Sequence, residues 1–247
     1  MRVEDSTALV TGGQRGLGRH LVAALLDAGA ARVYASARRP RAEADGDPRL
    51  VPIELDVSDP RSVASAAMQA VDVDILINNA GITMPSTLRT ADVKAVQDLV
   101  HTNVLGPLQT YQAFVPGMVR RGGGSVVNIA SVLSWVAGAG PYGMSKAALW
   151  SLTNSMRAES SSENVSVLGV YLGYTDTDMV SAISAPKNNP KDVARLVVQA
   201  IAAGEDELLV DPASHAARAA LYGPVHGQTW AAISAALNAD SLQELKS

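Results

Sequence analysis

Apolar and polar positions along the chain follow two alternating rhythms. Runs that are apolar or β-branched on successive residues occur at 7–11, 32–36, 50–55, 74–78, 125–130, 165–171 and 207–210. Continuous rather than alternate apolar residues mark strands buried on both faces, as in a parallel sheet covered by helices. Between these runs the spacing becomes helical. Leu17, Leu21, Ala24, Leu25 and Ala28 share one side of a helix that Gly29 ends. Ser58-Asp59-Pro60 supplies a cap and a first-turn proline for the next. Longer helical tracts fill 90–120 and 142–160, and Pro190-Lys191-Asp192 opens another that runs to Ala203. This alternation predicts an α/β fold: a single doubly wound parallel sheet of about seven strands with helices on both faces. No composition break divides 1–247, so one domain is expected.

Composition narrows the function classes. With 247 residues, 47% hydrophobic and 18% charged, the chain has ample material for a core. The absence of cysteine excludes a disulfide scaffold. A net charge of -4 argues against nucleic acid as a partner. Residues 122–145 carry no charged side chain, but Asn128, Pro141 and several serines and glycines make them a buried strand plus a site loop rather than a membrane span. Glu4 and Asp5 stand where a secretion signal would place an apolar run, so a soluble cytoplasmic protein with no membrane association is expected. His20, His101, His215 and His226 have no metal-ligand spacing, and no metal is expected.

The first strand leads into Thr11-Gly12-Gly13-Gln14-Arg15-Gly16-Leu17-Gly18, after which a helix starts. Glycines permit positive φ and let the backbone approach a pyrophosphate, while the helix N-terminus offers free N–H groups. Such a turn can be merely structural, but its place between strand one and helix one makes it a dinucleotide site in a Rossmann-like sheet. About 20 residues beyond the glycines an NAD enzyme carries an acid for the ribose, whereas an arginine suits NADP. The end of strand two, Ala35-Ser36-Ala37-Arg38-Arg39, holds no carboxylate. Arg38 and Arg15 can fork a 2′-phosphate, so NADP(H) is the expected cofactor; the alternative is a solvated basic loop over 38–49.

Further motifs, in order, carry a resemblance to the short-chain dehydrogenase/reductase family over about Thr7 to Pro212. They are the T-G-x-x-x-G-x-G turn (Gly12, Gly16, Gly18), Asp56-Val57, Asn78-Asn79-Ala80-Gly81, Asn103 with Val104-Leu105-Gly106, Ser131, and Tyr142-Gly143-Met144-Ser145-Lys146. The resemblance implies a cofactor site of Gly12, Gln14, Arg15, Gly16, Leu17, Gly18, Arg38, Asp56, Val57, Asn79, Ala80, Gly81, Tyr142, Lys146, Gly173, Thr175 and Thr177. It implies catalytic roles for Asn103, Ser131, Tyr142 and Lys146, with Lys146 also on the ribose and Asn103 holding a relay water. It also implies a homodimer or homotetramer through the helices at 90–120 and 142–160.

The chemistry accounts for these residue types. Tyr142 and Lys146 are four apart, so they share a helix face. A phenol near pKa ~10 exchanges protons poorly at neutral pH, and a neighbouring ammonium is expected to bring it down. Tyr142 then protonates a carbonyl oxygen as hydride arrives, while Ser131 hydrogen-bonds the same oxygen. The expected activity is an NADPH-dependent ketone reductase, reversibly an alcohol dehydrogenase. The alternative is an NADP-binding scaffold or a non-redox biosynthetic member.

Two departures from the family bear on this. Ser131 precedes Tyr142 by 11 residues, two fewer than is usual. The glycines and alanines of that loop can keep the pair together, or the loop can displace Ser131 and leave Ser134 in its place. The family's Pro-Gly after strand six reads Leu172-Gly173, which is expected to loosen the turn before Thr175 and Thr177. Asp176 and Asp178 read as caps of a short helix. Ser131, Trp135, Tyr174 and Met179 are the expected substrate contacts, with Met84 and Ile183 as weaker candidates and Trp135 equally readable as core. Together they suit a small carbonyl or alcohol substrate of apolar or aromatic character. Tyr222 and Trp230, in the C-terminal tract from Ser214, either close the pocket or pack.

Overall fold

The structure is a computed structural model that describes residues 2–41, 46–235 and 237. Seven strands form one sheet: β1 (Thr7–Val10), β2 (Arg32–Ala37), β3 (Leu50–Glu54), β4 (Ile75–Asn78), β5 (Gly124–Ile129), β6 (Val165–Tyr171) and β7 (Glu207–Leu209). Neighbours are parallel throughout, in the order β3-β2-β1-β4-β5-β6-β7. The chain winds from β1 to one edge, returns to β4 and winds to the other, which puts the switch point between β1 and β4. The helices are α1 (Gly16–Asp27), α2 (Pro60–Gln69), α3 (Val93–Val100), α4 (Gly106–Arg120), α5 (Gly140–Ser160), α6 (Pro190–Ala203) and α7 (Pro212–Ala220). The expected doubly wound sheet is the one that forms.

Successive strand residues enter opposite cores, which accounts for the unbroken apolar runs. On one face Ala8, Val10, Ile75 and Ile77 pack with Leu21 and Leu25 of α1 and Val197 of α6. On the other Leu9, Leu76, Val126 and Val167 pack with Ala66 of α2, Phe114 of α4 and Met156 of α5. Each such Leu, Ile or Val stabilises the fold by roughly 1.5–3 kcal/mol on burial, so neither face of the sheet tolerates a polar slip in register. The helix starts follow their caps. Asp59 accepts from Arg61 N ahead of Pro60, and Asn189 accepts from Lys191 N ahead of Pro190.

Three features shape the ends of the strands. The tract expected over 90–120 divides, because a π-helical turn, His101–Leu105, joins α3 to α4 and holds Asn103 buried. Wider turns of this kind recur at functional sites. The connection after β6 closes on itself through a parallel bridge between Thr175 and Asn188. A third apolar cluster, with Trp135, Leu149, Tyr171, Ala217 and Ile233, covers the loop after β5, and Ala137 bridges Thr229. Part of the C-terminal tract therefore packs over that loop. Its remainder, and residues 42–45 of the polar loop expected over 38–49, lie outside the described residues. No described helix is long and apolar enough to cross a membrane.

Candidate active site

The glycine turn is forced by close approach. Gly12 and Gly16 adopt positive φ, +64° and +51°. A Cβ at Gly18 would stand 2.2 Å from Gly12 O and 2.7 Å from Asn79 Nδ2, so only glycine lets α1 seat against the turn. Arg15 occupies the N-cap of α1 without a side-chain cap bond, and no acid lies in the first turn. The positive end of the helix is therefore open to an anion. Thr11 Oγ1 accepts from Asn79 N and Ala80 N, each at 2.9 Å, and Asn79 Nδ2 donates to Thr11 O at 2.9 Å. The glycine turn and the Asn78–Gly81 turn thus form one unit.

At the end of β2, Arg38 and Arg39 are exposed, as is Arg15 across the turn. Gln14, in the glycine turn, holds the loop after β2 with its carboxamide: Nε2 donates to Arg41 O at 2.8 Å and Oε1 accepts from Arg41 N at 2.9 Å. Asp56 follows β3. Burial works against its charged form, but bonds from Ser58 Oγ and N, with Arg38 nearby, leave its carboxyl below the ordinary range. Val57 is buried against Gly106 at the start of α4.

Across the cleft, the short loop leaves Ser131 beside Tyr142, where its side chain opposes the rise of the phenol pKa. Ser131 Oγ also accepts from Leu133 N at 3.1 Å, which fixes its rotamer. Ser134 points away and donates to Lys146 O at 3.0 Å. Lys146 is buried; its Nζ donates to Ile129 O at 2.8 Å and lies 5.8 Å from the Tyr142 ring centroid. The expected depression of the phenol pKa does not occur. Burial pushes Tyr142 up to about 12 against the opposing Ser131 bond, and burial brings Lys146 down to about 8. Desolvation sets the direction of both shifts, because each charged form loses its water. Asn103 clamps Ile82 from both sides, accepting from its N and donating to its O at 2.9 Å each. The same Nδ2 donates to Ser145 Oγ at 3.1 Å, and Ser145 Oγ donates to Tyr142 O at 2.8 Å. Gly81 faces this group, since its Cβ would be 3.3 Å from Asn103 Oδ1 and 4.0 Å from Lys146 Nζ.

Beyond β6 the turn is held rather than loose. Gly173 N donates to Asp211 Oδ2 at 2.6 Å, and Leu172 O accepts from Val132 N at 2.9 Å. Thr175 is buried, and its Oγ1 has no partner among the described residues. Thr177 closes the cleft against the glycine turn, with its Cγ2 3.6 Å from where a Gly16 Cβ would stand.

A family model described as short chain dehydrogenase matches residues 6–188. The chain belongs to the short-chain dehydrogenase family. It is 33% identical over 224 residues to the ketoacyl reductase HetN of Nostoc sp., covering 83% of this chain and 78% of that protein. It is 31% identical over 193 residues to the 3-oxoacyl-[acyl-carrier-protein] reductase FabG of Escherichia coli, covering 74% and 79%. A short chain dehydrogenase from Burkholderia cenocepacia, solved in complex with NADP, superposes with a TM-score of 0.84 at 34% identity, covering 90% of this chain and 95% of its own. As a member of this family the protein is an oxidoreductase.

In this short-chain dehydrogenase not every expected contact reaches the cleft. Trp135 belongs to the core: it is buried, stacked on Tyr171 at 4.2 Å and edge-on to Trp150. It is therefore not a pocket wall, because the C-terminal cluster covers it. Tyr174 and Met179 are part-exposed on the connection after β6, as is Ile183. Asp178 lies in the first turn of a short 3-10 helix that has no side-chain cap, and Asp176 pairs with Lys187 at 3.5 Å. Asp211 and Ser145 reach the site without a motif that marks them for it. The Asp211-Pro212 pair has the same cap-plus-proline pattern as Asp59-Pro60 and marks the start of α7. Nothing local betrays its reach to Gly173.

Proposed function

We propose that the protein is an NADPH-dependent carbonyl reductase, reversibly an alcohol dehydrogenase, in which Tyr142 is the general acid. The observation that carries this reading is the Ser131–Tyr142 pair with Lys146 buried beside it. NADP(H) suits the open N-terminus of α1, the exposed Arg15 and Arg38, the lack of an acid at the end of β2, and the buried, unpartnered Thr175 Oγ1. The Burkholderia relative was solved with NADP. When bound, the nicotinamide supplies the hydride. Gly16, Leu17 and Gly18 receive the pyrophosphate, Arg15 and Arg38 the 2′-phosphate, and Thr175 and Thr177 the carboxamide end.

The chain's own part in the reaction is proton supply and orientation. A phenol held at about 12 stays protonated far above neutrality, which suits an acid that gives its proton to a carbonyl oxygen. Ser131 Oγ donates to the same oxygen and stabilises its developing charge. With hydride supplied to the carbonyl carbon, Tyr142 would give its proton to the oxygen and be left as a phenolate. Lys146, still largely charged at neutral pH, stabilises that phenolate. Asn103 acts as a positioning residue that ties Ile82 to Ser145 and so to the Tyr142 backbone. Tyr174, Met179 and Ile183 give the rim an apolar lining suited to a hydrophobic ketone, and the ketoacyl reductases among the relatives reduce the same kind of bond. Oxidation of NADPH by a ketone panel tests the reading: Tyr142→Phe should lower kcat by about 10³-fold. Retained turnover in that variant would remove Tyr142 from the chemistry.

A further inference from the structure

We infer that Asp211 is a positioning residue for the reducing end of the cofactor: one carboxylate fixes both ends of the connection that carries Thr175 and Thr177. The inference rests on the reading that those threonines face the nicotinamide. Asp211 Oδ2 accepts from Gly173 N and from Asn188 Nδ2, each at 2.6 Å. Asp211 Oδ1 accepts from Ser214 N and Ser214 Oγ, each at 2.8 Å. The four donors come from three segments, namely the exit of β6, the far end of the connection and the first turn of α7. Backbone bonds carry the restraint inward. Asn188 N donates to Tyr174 O at 2.7 Å, and Asp176 N donates to Asn188 O at 3.0 Å. Fixing Asn188 therefore fixes both neighbours of Thr175.

The sequence explains why this chain needs such a device. A proline at 172 would stiffen the exit of β6 through its fixed φ, but this chain has Leu172. A charged acceptor that takes four short hydrogen bonds supplies the missing restraint. Gly173 is suited to it, since a Cβ there would press on Asp211 Oδ2 at 3.1 Å.

The test is binding rather than turnover. The full-length protein, Asp211→Ala and Asn188→Ala are titrated with NADPH and with 2′-phospho-ADP-ribose, which lacks the nicotinamide. The expected result is that Asp211→Ala weakens NADPH about tenfold and Asn188→Ala about threefold, while the shorter nucleotide binds all three proteins within about twofold. Equal losses for the two ligands would reduce Asp211 to a helix cap and overturn the inference, as would an unchanged NADPH affinity. Should Asp211→Ala fail to fold, Asn188→Ala decides alone, because it leaves the Asp211–Ser214 cap intact. A reductase reading lost through an active Tyr142→Phe enzyme would not alter this binding comparison, so the two failures are distinguishable.

Discussion

The two sides of the nucleotide cleft are built by different means. The phosphate side is made of backbone: Gly12 and Gly16 at positive φ, Gly18 pressed on Gly12 O, and N–H groups tied to Thr11. The proposed reactive side is made of side chains that reach across the fold. Ser131 meets Tyr142, Lys146 meets Ile129, Asn103 meets Ile82, and Asp211 meets Gly173 and Asn188. A backbone device leaves almost no freedom to the sequence, because nothing but glycine fits. A side-chain device can be rebuilt from other residues, and this chain has rebuilt one, with Asp211 standing in for a proline at 172.

The contrast breaks most severely at Gly18. An alanine there puts Cβ 2.2 Å from a carbonyl oxygen that has no rotamer to escape into. Gly18→Ala should cost about 3 kcal/mol or more in urea unfolding. NADPH affinity should fall at least about 100-fold, because the turn and the helix end move together. A variant that binds and unfolds like the parent would show that this side is not built from backbone.

Arg38 gives a smaller effect that separates recognition from architecture. Its side chain is exposed and holds no ion pair among the described residues, so its replacement should cost no more than about 1 kcal/mol, through its lost attraction to Asp56. Arg38→Asp removes a phosphate donor and supplies a ribose acceptor. The ratio of kcat/KM for NADPH over NADH should swing by about 100-fold toward NADH. An unchanged NADPH preference would remove Arg38 from the cofactor site.

This division also decides what could be read from residues alone. The strand runs, the glycine turn and the four-residue spacing of Tyr142 and Lys146 are local patterns, and each stands in the sequence within one short window. Trp135 is not of that kind. Its side is chosen by Tyr171 and by the C-terminal cluster, remote stretches with no shared period. Gln14 has the same difficulty, since its partner Arg41 lies beyond the whole first helix and second strand. The sign of the Tyr142 shift is not legible in the sequence, because proximity to Lys146 is visible as spacing, whereas desolvation is a property of the packed site.

Lys146 brings the comparison to its smallest and most telling effect. Burial lowers its pKa from 10.5 to about 8. The folded value lies below the unfolded one, so protonation favours the unfolded chain. The cost is complete below about pH 8 and fades as pH rises toward 10.5. That gap corresponds to about 3 kcal/mol, and losing the bond to Ile129 O offsets about 1 kcal/mol. Lys146→Met should therefore be about 2 kcal/mol more stable than the parent in urea at pH 7, with the gain gone near pH 11. It should also be inactive. Such a result fits a site where a buried charge is kept for chemistry at the expense of the fold, whereas parent-like stability at pH 7 would mean that the interior imposes no penalty on this ammonium.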